Sequence, residues 1–157
     1  MSSLDSISES PNVIKLALDV TSKSSVDAAI AAAVAKFGRL DIVVNNAGYT
    51  LAGDTENATE EQERQVFETL FWGVVRISKH AMRVMRDDNP KTGQQGGVVL
   101  NITSLGGFIG FPGAAFYHAG KFAVEGFTES VAKEMRPDWN STLWQLLPVL
   151  DVRRLTL

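Results

Sequence analysis

The chain has no cysteine, so it can form neither a disulfide nor a thiolate zinc site. That composition fits a reducing compartment, and a cytoplasmic location is expected. Only two histidines are present, His80 and His118. Neither has a carboxylate or second histidine at ligand spacing, so no metal site is expected. No apolar run reaches ~18 residues, the length of a membrane-spanning helix. The start, Met1-Ser2-Ser3-Leu4-Asp5, has neither the basic nor the apolar region of a signal peptide. No Lys/Arg cluster occurs and the net charge is −3, which argues against nucleic acid as a partner. At 157 residues, 45% hydrophobic and 21% charged, the composition is that of one globular domain over 1–157. Residues 1–11 and 148–157 are expected to be poorly ordered.

Against these absences stands one constellation. Tyr117 and Lys121 are four residues apart, and Ser104 lies in Asn101-Ile102-Thr103-Ser104. On a helix, positions i and i+4 share a face, so a phenol and an ammonium would point the same way. A free tyrosine titrates near ~10 and is a poor acid or base at neutral pH. A nearby cation favours the phenolate and lowers that value. A serine from a separate loop could hold a substrate oxygen beside the phenol. Such a trio suits proton exchange with an alcohol or a carbonyl. Read singly, Tyr117 is a core tyrosine and Lys121 a solvated helix lysine.

Patterning places these residues. Residues 13–18 are mostly apolar and predict a short strand. Val26, Ile30, Val34 and Phe37 recur at helical spacing, and Gly38 sits where a helix would stop. Residues 40–44 predict a second strand running into Asn45-Asn46-Ala47-Gly48. Thr59-Glu60-Glu61-Gln62 fits a capping box opening one long helix to about Arg86, with Val66, Leu70, Phe71, Val74 and Ile77 on one side. A third strand is predicted over 98–102, a loop over 105–116, a helix over about 113–135, and a fourth strand over 142–147. Alternating strands and helices predict a parallel sheet with helical crossovers. Strands this apolar predict burial on both faces. Asp19, Asn45 to Gly48, Thr103 and Ser104 all fall at carboxyl ends of strands, where ligands collect in such sheets. Two asparagines at a buried strand end need partners, and Asp19 reads equally well as a helix N-cap.

Leu18-Asp19-Val20-Thr21, Asn45-Asn46-Ala47-Gly48, Asn101-Ile102-Thr103-Ser104 and Tyr117-x-x-x-Lys121 together resemble the short-chain dehydrogenase/reductase family. The likeness is to fungal members and covers about residues 12–140. The resemblance implies an α/β, incomplete Rossmann-like doubly wound parallel sheet. It implies NAD or NADP as cofactor and a small alcohol or carbonyl compound as substrate. It implies Ser104, Tyr117 and Lys121 as the catalytic residues. Asp19, Asn45, Asn46, Ala47 and Gly48 would border the adenosine, and Tyr117 and Lys121 the nicotinamide ribose. Helices 60–86 and 113–136 would pair copies into a homodimer or homotetramer.

The chain also departs from the family. The family's Thr-Gly-x-x-x-Gly-x-Gly turn, which holds the pyrophosphate, is nowhere in the sequence. Glu68-Thr69-Leu70-Phe71-Trp72-Gly73 puts Leu70 where the family places an asparagine that holds a water. After Leu147 the chain reads Pro148-Val149-Leu150-Asp151 rather than Pro-Gly and a substrate-binding segment. Its strands match the family's third to sixth, so the first two, and the last, are missing. In the order 3-2-1-4-5-6 this opens a gap of roughly 10–15 Å, from ~4.8 Å per strand spacing. Residues 13–18 must slide across, detach or find a strand from another chain. The chain is therefore expected to be truncated at both ends. An oxidoreductase interconverting a secondary alcohol and a ketone or aldehyde is the leading reading. The alternatives are a non-catalytic remnant that partners a full-length relative, or a nucleotide-binding regulator without turnover.

Overall fold

The computed structural model describes residues 7, 8 and 10–146. The expectations for the first residues and for the segment after Leu146 lie outside the described residues. Three strands form one parallel sheet in the order β1 (Ile42–Asn45), β2 (Gly97–Ile102), β3 (Ser141–Leu146). Asn45 is in register with Asn101, and Asn101 with Gln145. The expected incomplete Rossmann-like α/β fold is what forms.

Helix α1 (Lys23–Phe37) begins where the Ser22 side chain accepts from the Ser25 amide, and ends where Gly38 turns left-handed at φ 78°. The capping box at Thr59 forms as predicted and opens α2 (Glu60–Phe67). The long helix is not uniform, however. A π turn over Glu68–Trp72 separates α2 from α3 (Gly73–Asp87). Such turns accommodate one extra residue in a helix and often mark functional sites. Here the turn buries Leu70 to 1% exposure, between the loop after β1 and helix α4 (Ala115–Glu134). A Cβ added to Gly48 would lie 2.8 Å from Leu70 Cδ2, and one added to Gly120 would lie 3.1 Å from Leu70 Cβ. Both glycines leave room for this leucine.

Two expectations fail. Residues 14–19 form neither strand nor helix, and Val13 makes only an isolated bridge to Ser10. The segment is instead held to α1, where Lys36 Nζ donates to the Val13 carbonyl at 2.7 Å. No strand edge pairs with this segment, so it forms no ladder. Burial on both sheet faces also fails. Ala81, Met85, Val99 and Leu143 form one core cluster, and Val20, Val26 and Ile77 another, with Val43 packed against both. Helices α1, α3 and α4 therefore cover the face bearing Val43, Val99 and Leu143. The alternate residues Ile42, Val44 and Trp144 are 64%, 53% and 60% exposed. Among the described residues one helical layer covers the sheet, and Ile42, Val44 and Trp144 of the opposite face are left uncovered.

Candidate active site

Strand β2 ends at Ile102, and the chain then turns sharply through residues 104–107. The Ser104 carbonyl accepts from the Gly107 amide at 2.8 Å, and its hydroxyl accepts from the Gly106 amide at 3.2 Å. This turn lies directly on α4. A Cβ added to Gly106 would fall 2.3 Å from His118 Nδ1 and 3.2 Å from Tyr117 Cε1. Only a residue without a side chain fits there, and that seats the turn opened by Ser104 against Tyr117 and His118. His118 Nδ1 lies 3.1 Å from the Gly106 carbonyl, which ties helix to turn a second time.

Lys121 completes the cluster. It is 8% exposed, and its Nζ donates to the Ile102 carbonyl at 2.7 Å. The same ammonium lies 5.8 Å from the centre of the Tyr117 ring. Burial disfavours the charged form and pushes the Lys121 pKa below its ordinary value, while the Glu125 charge opposes that shift. The structure thus brings Ser104, Tyr117 and Lys121 to one end of β2. A hydroxyl, a half-buried phenol and a buried cation at this spacing are equipped to orient an oxygen and move a proton.

The residues expected around the adenosine divide. Asn45 is 5% exposed, and its Nδ2 donates to Asn101 Oδ1 at 2.8 Å and Ser78 Oγ at 3.1 Å. Asn101 Nδ2 donates to Thr128 Oγ1 at 2.8 Å, so one polar chain links β1, β2, α3 and α4. Asn45 is therefore a fastener of the sheet. Asn46, Ala47 and Gly48 are exposed, contrary to the expectation of a second buried asparagine, because β1 lies at the sheet edge. Asp19 is exposed and does not cap α1, a position Ser22 holds. Its Oδ1 accepts from the Thr21 hydroxyl at 2.7 Å and amide at 2.9 Å, and these bonds hold its pKa below the usual carboxylate value.

The residues present fit the two ends of a dinucleotide unequally. Tyr117 and Lys121 could meet a ribose, and Asp19 and residues 46–48 offer exposed polar groups at one strand end. Among the described residues no glycine-rich strand-to-helix turn forms a phosphate cradle. No group of three or more histidines and carboxylates able to hold a metal occurs among the described residues, and no described helix is long and apolar enough to cross a membrane. His80, read from sequence as lacking a carboxylate neighbour, meets Asp27 of α1 at 3.0 Å. Sequence reasoning also passed over Asn101, Ser78, Thr128 and Glu125. Asn101 had a signal, since it stands one residue before the end of β2, in register with Asn45 at the end of β1.

The family profile described as short chain dehydrogenase matches residues 2–139. The chain belongs to that family. It is 54% identical over 135 residues to the oxidoreductase calM of Penicillium decumbens, covering 84% of this chain and 43% of the relative. It is 40% identical over 122 residues to a 3-ketodihydrosphingosine reductase of Bacteroides thetaiotaomicron, covering 78% of this chain and 43% of the relative. A short-chain dehydrogenase/reductase of Burkholderia phymatum, solved in complex with NAD, superposes with a TM-score of 0.79 at 25% identity, over 87% of this chain and 47% of that one. A short-chain dehydrogenase structure from Novosphingobium aromaticivorans gives a TM-score of 0.84 at 26% identity, over 95% of this chain and 55% of that one. The chain spans about half the length of the relatives it matches.

Proposed function

We propose that this chain carries the proton-transfer half of an NAD(P)-dependent oxidoreductase that interconverts a secondary alcohol and a ketone or aldehyde. The observation that carries this reading is the convergence of Ser104, Tyr117 and Lys121 on the turn at Gly106. In the oxidation direction the Ser104 hydroxyl donates to the substrate oxygen, and the Tyr117 phenolate takes the hydroxyl proton. The buried Lys121 ammonium stabilises that phenolate. NAD or NADP, when bound, would supply the hydride acceptor for this chemistry. Asp19 and residues 46–48 would border the cofactor's adenosine, and Tyr117 and Lys121 the ribose of its nicotinamide half. Asn45 acts there only indirectly, by fixing the end of β1.

The wall beside the trio indicates the kind of substrate. From Thr92 to Gly120 the sequence carries no Asp, Glu, Lys or Arg. Leu105, Phe108, Ile109 and Phe111 are each about half exposed within that run, and the Phe111 ring lies 5.6 Å from His118. An uncharged, apolar wall suits a neutral substrate with apolar flanks over one bearing a phosphate ester or a free carboxylate. The exposed Trp72 and Phe122, on these two helices, support pairing of two copies through helices 60–86 and 113–136. A cytoplasmic location belongs to the same reading and rests on the cysteine-free composition.

A second reading has its own support. The described residues lack a phosphate cradle, and Leu70 stands at the family's asparagine position. Both favour a non-catalytic member that partners a longer relative. Titration of the purified chain with NADH and NADPH, followed by fluorescence, separates the two. Saturable binding, with Tyr117→Phe lowering turnover about 10²–10⁴-fold at nearly unchanged affinity, supports the enzyme. No binding at millimolar cofactor overturns it.

A further inference from the structure

Glu125 is an ionisable residue with a buried carboxylate that the proposed chemistry leaves unused. It stands one turn beyond Lys121 on α4, and both its carboxylate oxygens are buried without a hydrogen-bond partner among the described residues. Its side chain lies against the serine-bearing turn. A Cβ added to Gly107 would meet Glu125 Cγ at 3.1 Å, Glu125 Oε1 at 3.3 Å and the Lys121 carbonyl at 3.4 Å. Gly107 is the residue whose amide closes the turn onto Ser104. Glu125 therefore touches the element that holds Ser104 and belongs to the helix that holds Tyr117 and Lys121.

A buried carboxylate without hydrogen bonds is costly unless another charge offsets it. The surroundings offer one. The turn 105–107 and β3, both packed on α4, carry no charged residue. Two further elements in contact with α4, namely α2 and the π turn, carry Glu60, Glu61, Glu63, Arg64 and Glu68, and α3 meets α4 through the apolar cluster of Ala81, Met85, Phe127 and Val131. Of these, Glu60 pairs with Arg64, and Glu68 with Arg76 of α3. Near Lys121 on its own helix lie Tyr117, His118 and Glu125, and Glu125 is the charged group whose field bears on the ammonium. The two side chains are not in ion-pair contact, so the relationship acts through the low-dielectric interior rather than through a direct bond.

We infer that Glu125 is a positioning residue for this site: its buried carboxylate is the internal counter-charge that keeps Lys121 an ammonium against the Ile102 carbonyl, while its side chain supports the turn carrying Ser104. The role of Lys121 in the reaction rests on the function proposed above, but the charge relationship does not.

The test reads the charge of Lys121 directly. The full chain is labelled at lysine Cε with ¹³C, Lys121 is assigned by its loss in Lys121→Arg, and its resonance is titrated by NMR. In Glu125→Gln, which keeps shape and removes charge, the Lys121 midpoint should fall by about one to two pH units, the scale for i,i+4 neighbours at an effective dielectric of roughly 20. Glu125→Asp should restore part of the shift. An unchanged midpoint in folded Glu125→Gln overturns the inference, since Glu125 would then be a neutral acid. If Glu125→Gln does not fold, the reciprocal experiment decides. The Glu125 carboxyl resonance should titrate at higher pH in Lys121→Met than in the wild type, and an unmoved midpoint overturns the inference. Failure of the wild type to bind NADH or NADPH, with this coupling intact, removes the proposed function alone. Where turnover is measured, Glu125→Gln should shift the pH profile of kcat at unchanged substrate KM, an effect that mere packing would not produce.

Discussion

Lys121 Nζ donates to the Ile102 carbonyl at 2.7 Å, so a buried cation closes the end of the central strand. Burial lowers its pKa, which means the folded chain binds this proton less tightly than the unfolded chain does. Below the folded midpoint the mismatch is a constant penalty. Between that midpoint and the ordinary lysine value near ~10.4 the unfolded state holds more protons, so stability rises with pH. Lys121→Met lacks that rise. Urea denaturation at intervals from neutral pH to about pH 10 should show the wild type gaining on Lys121→Met as pH increases. A constant difference would mean that the lysine is solvated in the folded chain.

The polar chain through Asn45, Asn101 and Thr128 makes a separate prediction. Asn101 is fully buried; it accepts from Asn45 and donates to Thr128. Asn101→Ala removes one buried partner from each neighbour, leaving Asn45 its bond to Ser78 and Thr128 its bond to the Val124 carbonyl, and should cost about 2–3 kcal/mol. Asn45→Ala removes one of the same bonds, so the double variant should cost less than the sum by about 1 kcal/mol. Equilibrium denaturation of the four chains measures the cycle. Strict additivity would show that water, not the partner amide, satisfies these groups.

The uncovered sheet face should dominate solution behaviour. Val44 and Trp144 are in register with Leu100 between them, and both outer residues are more than half exposed. Contiguous apolar surface of this kind, beside a bare strand edge, drives self-association. Val44→Lys with Trp144→Lys should reduce association beyond the helix-paired dimer in size-exclusion chromatography with light scattering, and lower the chain's binding of an apolar dye. These side chains do not enter the helix-covered core, so circular dichroism should change little. Unchanged association would place the self-contact on the helices.

How much of this was legible in sequence depended on whether the signal was local. The capping box at Thr59, the glycine stop at Gly38 and the Tyr117–Lys121 spacing depend on neighbours a few residues away, and each appears where the pattern put it. The strand over 13–18 is absent because a strand exists only when a partner edge lies within hydrogen-bonding reach. Two-faced burial was misread for the same reason. Ile42, Val44 and Trp144 have the composition of strands covered on both sides, but coverage requires a second helical layer that the described residues lack. Glu125 left no trace in the sequence, since only the fold at Gly107 reveals that its carboxylate is buried.

Leu70 separates packing from catalysis most directly. The π turn seats it against Gly48 and Gly120, so its side chain fastens the loop after β1 to α4. Leu70→Met keeps volume and polarity and should cost under about 1.5 kcal/mol. Leu70→Ala leaves a cavity and should cost about 2–5 kcal/mol. Leu70→Asn restores the residue type that the family places here, yet it removes apolar burial and adds an amide among apolar neighbours. It should cost about 2–4 kcal/mol. Denaturation midpoints in the order wild type, Met, then Asn and Ala together would identify the site as a packing joint. An Asn variant as stable as wild type would show that the π turn retains hydrogen-bonding partners for an amide, and that the polar site survives beneath the leucine.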